Sequence, residues 1–255
     1  MTVSIIDFIS PERLNPYEIL AMKEAVSVLD IYIWNQKVSL ALFGDIGNVE
    51  VVMRSAIARE MVSEFGIDWF TNEDVLDSPA LKSIDSALTN VKRIGRSPQE
   101  LHGKLVASLT LGFWVRLLGR GDRLVTFDKV TKKQIGSDRR IFDDLLWKPA
   151  LSKAFPAADP LGRATVEALA RDLQFARNRV AHHEHVIWGI PAVGQKLKGG
   201  QTQRRIGLTE FHNTLLKLSA LIDPELRQCI ESNSMFLKVV DDCPIKNTQN
   251  LKLWS

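Results

Sequence analysis

The sequence predicts an all-α protein built as a bundle of amphipathic helices. Apolar side chains recur at helical spacing, as in the stripe formed by Leu105, Leu109, Phe113 and Leu117. Several prolines follow short polar residues, and this pairing marks helix starts because proline is tolerated in the first turn while the residue before it caps the helix. Runs that alternate apolar and polar residues, which would predict strands, are scarce.

The N-terminal half is predicted to contain helices separated by glycines and by proline-led starts. Gly44 and Gly47 lie close together and are expected to interrupt the first long apolar pattern. Gly66 is expected to end the helix that follows, because glycine readily takes the left-handed conformation at a helix C-terminus. The expected helices cover residues 16–43, 48–65, 79–95 and 98–117.

The C-terminal half is predicted to combine helices with two polar, basic segments. Residues 119–138 are rich in glycine and charge, and we expect a loop there that holds a short ordered piece. Residues 189–207 are expected to form a flexible loop, and the tail from 235 includes residues 236–240, which could form a strand. No linker divides the chain, so residues 1–255 are predicted to form one domain. Further helices are expected at 139–154, 160–182, 209–222 and from 224 onward.

The composition is that of an ordinary soluble protein and excludes several classes of site. The chain has 33 basic and 30 acidic residues, which gives a formal charge of +3. Its two cysteines, Cys229 and Cys243, have no CxxC spacing, so neither a disulfide framework nor a zinc site is expected. The longest apolar run, near residues 105–115, is too short to span a bilayer. Because residues 1–10 lack a signal-peptide pattern, we expect a cytoplasmic protein without membrane contact.

Two clusters of basic residues could bind nucleic acid, although such runs are more often solvated loops. The small net charge permits an RNA partner only if these side chains share one face. The clusters are Lys132, Lys133, Arg139 and Arg140, and Lys196, Lys198, Arg204 and Arg205.

The most informative segment is residues 175–185, at the predicted C-terminal end of a long helix. Three of the five histidines of the chain lie within four positions there. Asn178 and His182 are four residues apart and share a helix face about 40° wide, whereas Arg177 lies about 140° around the helix from His182. Groups so far apart are difficult to use in one site, unless a second copy of the helix packs beside the first.

Each of these residues also has a structural interpretation. Arg177 could pair with a carboxylate such as Asp172, and His182 could cap the helix C-terminus, where positive charge is favoured. A metal site of His182, His183 and His185 is disfavoured, because nearly consecutive positions point around a helix in different directions. Arg96 and His102 repeat a similar spacing, but Pro98 begins a helix between them and we interpret that match as coincidence.

Arg177, four intervening residues and His182 resemble the R-x(4–6)-H motif of nucleases of the HEPN superfamily. The longer string from Arg177 to Glu184, with asparagine directly after arginine, resembles the signature of Abi-like (abortive infection) proteins. Three further elements resemble that family in the same order, although Ser55 stands where the family usually has asparagine and the third element lacks its first aromatic residue. The three elements, in chain order, are Tyr32 with Trp34 and Asn35, then Glu50 with Arg54, then Gly112-Phe113-Trp114.

The resemblance implies a HEPN-like helical bundle with additional helices and an endoribonuclease that needs neither a metal nor another cofactor. Arg177, Asn178 and His182 would then be catalytic, with His183, Glu50 and Arg54 in support, although a structural ion pair is an alternative for the last two. The same resemblance implies a homodimer that acts as a toxin or antiphage effector on RNA, restrained in some relatives by a protein or RNA antitoxin. A non-catalytic RNA-binding protein and a helical interaction protein are the alternatives.

Overall fold

The computed structural model describes residues 3–91, 97–128, 130–159, 161–192 and 204–245. The structure is 70% helix and 7% strand, which confirms the prediction of a mainly helical protein. The α-helices are α1 Pro11–Glu24, α2 Val28–Phe65, α3 Ser78–Asn90, α4 Pro98–Ser108, α5 Leu111–Leu117, α6 Ser152–Ala154, α7 Gly162–Ala181, α8 Leu208–Ile222, α9 Pro224–Asn233 and α10 Phe236–Asp241.

Shorter elements connect these helices. Short 3-10 helices cover Ile5–Phe8, Trp69–Thr71 and Pro156–Ala158, and a π-helical stretch covers Asp143–Leu151. The strands form two antiparallel pairs, β1 Arg123–Phe127 with β2 Gln134–Arg139, and β3 Ile190–Pro191 with β4 Arg205–Ile206.

The chain forms two compact units. The first contains Met1–Asn48, Phe175–Lys217 and Gln228–Ser255, and the second contains Val49–Gln174 and Leu218–Arg227. Each unit has apolar side chains that are fully buried, among them Ile31 and Phe211 in the first and Trp69 and Trp114 in the second. The single-domain assignment of residues 1–255 stays a prediction.

The predicted break at Gly44 and Gly47 is wrong, because α2 continues through both glycines. A side-chain carbon added at either glycine would meet nothing within 4 Å, so both lie on an open face of the helix. The chain breaks earlier instead, at Ala25, which takes a left-handed conformation with φ +53° and ends α1. Helix α1 also begins before the expected start, so Pro16 lies inside it.

The predicted apolar stripe is buried, but it does not belong to one helix. Leu105 and Leu109 lie in and directly after α4, whereas Phe113 and Leu117 lie in α5, and all four are at most 3% exposed. Thr110 separates the helices and its hydroxyl caps α5 by accepting from the Phe113 backbone N–H at 3.4 Å. The threonine therefore restarts the helix that periodicity alone joins.

Several other expectations need correction. The helix expected at 139–154 begins only after β2, which ends at Arg139, and is largely π-helical, with Pro149 inside it. By contrast, the short ordered piece expected in 119–138 is confirmed as the β1–β2 hairpin. Residues 236–240 form α10 rather than a strand. The loop predicted at 189–207 carries the β3–β4 pair at its ends, while 193–203 lie outside the described residues. Pro160 lies outside them as well, and the helix predicted to start there begins at Gly162.

Candidate functional site

Helix α7 ends in a tight left-handed turn within the segment of greatest interest. The backbone N–H of Glu184 donates to the carbonyl of Arg179, and that of His183 donates to the carbonyl of Val180, both at 3.0 Å. This pair of bonds is the Schellman motif, which requires a left-handed residue after the helix. His183 occupies that position with φ +55°, although glycine usually fills it. The turn ends the helix, and residues 184–186, which follow it, are not helical.

The three predicted catalytic residues lie at the surface, at the end of α7. Asn178 and His182 are exposed, and Arg177 is half-buried. The His182 backbone N–H donates to the Asn178 carbonyl at 3.0 Å, so His182 stays within one helical turn of Asn178, as the four-residue spacing predicts. The Arg177 Nη1 donates to Asn178 Oδ1 at 3.4 Å. A substrate in solution can therefore reach the imidazole and the asparagine directly.

Arg179, which lies between these residues in the chain, is mainly structural. Its guanidinium donates to Glu184 Oε2 at 2.6 Å and to the His185 carbonyl at 2.8 Å, and only 11% of its side chain is exposed. The arginine thus holds residues 184–185, which follow the turn, against the last turn of α7. Burial lowers the pKa of Arg179, and the Glu184 carboxylate opposes this shift.

Asn35 and Trp34, from the first element of the family resemblance, also hold segments in place. Asn35 is 1% exposed, and its Oδ1 accepts from the Val186 backbone N–H at 2.8 Å. The indole N–H of Trp34 donates to the Val239 carbonyl at 2.9 Å. Helix α2 therefore fixes both the chain that follows His183 and the C-terminal helix α10.

Beside this turn the first unit contains a cavity of about 560 Å³. It lies between the N-terminal part of α1, helix α2, Arg179 in the last turn of α7 and residues 183–185 at and after the turn. Two tyrosines, two arginines and two histidines contribute to its lining, namely Tyr17, Tyr32, Arg13, Arg179, His183 and His185. Of the supporting residues predicted from the sequence, His183 is in this cavity, whereas Arg177, Asn178 and His182 are not among its lining.

His185 is the most perturbed group of the cavity. Burial, with a smaller contribution from the positive charges of Arg179 and Arg205, lowers the pKa of its imidazole to about 4. Its Nδ1 is buried and has no hydrogen-bond partner within the described residues. His185 is therefore neutral at physiological pH and cannot act there as a positively charged acid.

The other supporting residues, Glu50 and Arg54, lie in α2 within the second unit and are half-buried. Their interpretation as an ion pair or as active-site neighbours stays a prediction. His102, part of the second histidine motif, accepts from the Trp69 indole N–H at 3.2 Å, and burial lowers its pKa. It thus has a packing partner of its own, while Arg96 lies outside the described residues.

Sequence reasoning missed a buried cluster of Asp45, His212 and Ser234 in the first unit. The Ser234 hydroxyl donates to Asp45 Oδ2 at 2.6 Å, and His212 Nε2 lies 3.2 Å from the same carboxylate oxygen. In a catalytic triad the acid and the serine contact opposite nitrogens of the histidine. Here Ser234 Oγ and Asp45 both approach Nε2, and His212 is 2% exposed, so the cluster is structural.

Several arginines of the two predicted basic clusters form ion pairs or hydrogen bonds within the protein. Arg139 pairs with Asp122 at 3.6 Å, and Arg140 donates to the Glu73 carbonyl at 2.9 Å. Arg204 pairs with Glu210, and Arg205 donates to the Gly189 carbonyl. Lys196 and Lys198 lie outside the described residues. The described arginines of both clusters therefore have partners within the protein.

Within the described residues, no group of three or more histidine, cysteine or acidic side chains is placed to hold a metal ion. In the same part of the chain, no helix combines the length and the apolar character needed to cross a membrane. Cys229 and Cys243 are both free thiols. Comparisons of the chain with protein-family models, with curated proteins and with solved structures give no significant match.

Proposed function

We propose that the protein is a metal-independent endoribonuclease of the HEPN type that cuts RNA with Arg177, Asn178 and His182. The observation that carries the proposal is the accessibility of these groups at the end of α7. Asn178 and His182 are exposed one helical turn apart, and the Arg177 guanidinium contacts the asparagine at 3.4 Å. The HEPN-like bundle and the Abi-like resemblance are part of the same proposal.

The chemistry uses only groups that RNA and the protein supply. The ribose 2′-oxygen attacks phosphorus as its proton leaves to His182, and the bond to the 5′-oxygen breaks as that oxygen takes up a proton from solvent. His182 then returns the proton that it accepted to solvent, so the protons balance. The products are a 2′,3′-cyclic phosphate and a 5′-hydroxyl, so water and metal are not consumed. Imidazole suits such proton transfers near neutral pH, and the planar fork of arginine suits the phosphate oxygens. Asn178 would orient the imidazole or donate to phosphate.

A homodimer would complete this site. The five-residue spacing of Arg177 and His182 corresponds to about 140° around a helix, so two copies could each contribute one group to a shared cleft. The first unit also exposes large apolar side chains on α2, with Ile33 at 40%, Leu40 at 73% and Phe43 at 43% exposure. We infer that a second copy of the chain covers this face, because the open glycines Gly44 and Gly47 beside it permit close helix approach.

The resemblance extends the proposal to a biological role. RNA cleavage in the cytoplasm would arrest growth or phage replication, as expected of a toxin or abortive-infection effector. Such a toxin needs restraint, and the resemblance supplies a protein or RNA antitoxin as the partner. These roles rest on analogy with the family.

RNA binding without cleavage is the second candidate. Its support is the solvent exposure of Asn178 and His182, because stabilisation of transition-state charge is strongest where water is excluded. A monomer would therefore bind RNA through these groups more readily than cut it.

The test is incubation of the purified full chain with end-labelled single-stranded RNA in excess EDTA. We expect cleavage that leaves 2′,3′-cyclic phosphate ends and that falls by about 10²–10³-fold in His182→Ala and in Arg177→Ala. Arg59→Ala, at an exposed position of α2, is the matched control and should cleave like the wild type. Tight binding without cleavage would establish the second candidate.

A third outcome would point to the helical interaction protein. The wild type would then neither bind nor cut RNA, and overproduction of the wild type and of His182→Ala would affect growth equally. Circular dichroism of each variant guards against loss of folding as the cause.

A further inference from the structure

We propose that the cavity beside the α7 turn binds one nucleotide of the RNA, with its base against Tyr32 and its phosphate at Arg13. This inference rests on the proposed nuclease function and specifies where that enzyme would read the strand next to the cut. The cavity volume of about 560 Å³ falls within the range of about 300–1,000 Å³ that is usual for small-molecule sites.

The aromatic part of the lining suits a planar base. Tyr17 is 4% exposed, and its ring meets Tyr32 edge-on at 5.4 Å and His185 edge-on at 6.3 Å between ring centroids. Tyr32 is half-buried and also lines the cavity, so part of its surface remains available. Bases stack on tyrosine and histidine rings in proteins that bind single-stranded RNA.

The charged part of the lining favours a single phosphate. The Arg179 guanidinium is already neutralised by Glu184 at 2.6 Å, whereas no ion pair engages Arg13 within the described residues. Arg13 is exposed, and its charge acts on the Tyr17 hydroxyl, which places it beside the aromatic part of the site. Because Glu12 adds a second carboxylate to the lining, a polyphosphate would be repelled.

Neutral polar groups remain for the base and the ribose. Gln36 lines the cavity from α2, and an amide can bond two edge atoms of a base at once. His185 is uncharged at neutral pH and adds a neutral aromatic ring to the lining. A nucleotide uses such mixed donors and acceptors, whereas a hydrocarbon ligand would leave them unpaired.

The position of the cavity connects it to the proposed chemistry. His183 lines the cavity and directly follows His182 in the chain, at the left-handed turn. A strand whose phosphate contacts His182 would therefore place an adjacent nucleotide at the cavity. Its lining would set the base preference next to the cleaved bond.

The first test uses isothermal titration of the four ribonucleoside 3′-monophosphates into the full-length His182→Ala chain, which is not expected to cut RNA. We expect one base to bind best and Arg13→Ala to weaken that binding by about tenfold or more, as loss of a charged hydrogen bond implies. Lys23→Ala, at the other end of α1, is the matched control and should bind normally. Inorganic phosphate should bind more weakly than the best nucleotide.

The second test maps where the wild type, Gln36→Ala and Tyr32→Leu cut a long RNA. A shifted base preference beside the cut supports the subsite, and Gln36→Ala, at an exposed position, keeps the test valid if Tyr32→Leu fails to fold. The inference would be overturned if no nucleotide binds. It would also be overturned if Arg13→Ala binds the nucleotides as tightly as the parent chain does, or if inorganic phosphate binds as tightly as the best nucleotide.

The two proposals fail separately. Cleavage of RNA that depends on His182, with no nucleotide bound at the cavity, would leave the nuclease intact and remove the subsite. Nucleotide binding that depends on Arg13, with no cleavage of RNA, would keep the subsite and remove the nuclease.

Discussion

Two histidine sites in the first unit use similar residue types in opposite ways. At the end of α7, His182 is exposed, and within the described residues its ring has no hydrogen-bond partner. His212, in α8, is 2% exposed, lies 3.2 Å from Asp45 and stacks on Phe236 at 4.6 Å. The buried histidine has the neighbours of a hydrolase triad, yet the exposed one is the better candidate for chemistry.

The difference teaches that residue type does not by itself identify a functional histidine. A catalytic imidazole must reach substrate and exchange protons, whereas a buried one with satisfied partners fixes the positions of the elements that supply them. Asp45 comes from α2, His212 from α8, and Ser234 from the chain just before α10. Their cluster therefore holds together the elements of the first unit.

The largest effect should come from Asp45→Ala. The substitution removes the carboxylate that His212 Nε2 and the Ser234 hydroxyl contact, and we expect the free energy of unfolding to fall by about 2–3 kcal/mol, because buried polar groups are left without their partner. Denaturant titration of the full chain measures it, with Asn48→Ala, at an exposed position of the same helix, as control. A loss as small as that of the control would show that the cluster contributes little to stability.

The next largest effect is expected when two inactive variants are mixed, which tests whether two copies of the chain share the site at the end of α7. Arg177→Ala and His182→Ala should each be inactive alone, and a mixture refolded together should regain part of the cleavage, because a mixed dimer carries one intact group of each kind. Cleavage products are measured on labelled RNA, with each variant alone at the same total concentration as control. No recovery, despite mixed dimers detected by affinity pull-down, would contradict a shared site.

A smaller effect should follow from pH through His185. Its pKa in the folded protein is about 4, below the ordinary value of 6.5, so between these values the unfolded chain binds the extra proton. Stability is therefore complete above about pH 6.5 and declines as the pH falls toward 4, by about 1–2 kcal/mol after allowance for solvent screening. Unfolding at pH 7 and pH 5 measures it, and His185→Gln should remove much of this decline. An unchanged pH dependence in the variant would exclude His185 as its source.

The smallest expected effect is a gain in stability from His183→Gly. Glycine adopts the left-handed conformation of this position, with φ +55°, without the steric cost that histidine has there. We expect a net gain of up to about 1 kcal/mol by thermal unfolding, with His182→Gly as the control that gains nothing. A loss of stability in His183→Gly would mean that the His183 side chain makes contacts worth more than the strain it causes.

The sequence by itself determined the helical class and the apolar faces. Leu105, Leu109, Phe113 and Leu117 are buried as their spacing predicts, although they belong to two helices, because each helix must cover its own apolar face. The sequence also located the end of the long helix near His182, since α7 ends at Ala181. Local patterns carry such information because they depend on neighbours within one or two turns.

Only the tertiary structure decided where helices break and which polar groups meet. Helix α2 continues through Gly44 and Gly47, and Asp45, between them, contacts His212 and Ser234 from distant parts of the chain. The cavity likewise depends on Tyr17 and Arg13 of α1 meeting the turn after α7. Such pairings arise from packing between segments far apart in sequence, so no local sequence pattern predicts them. The left-handed turn at His183 was not predicted either, because no glycine occupies that position.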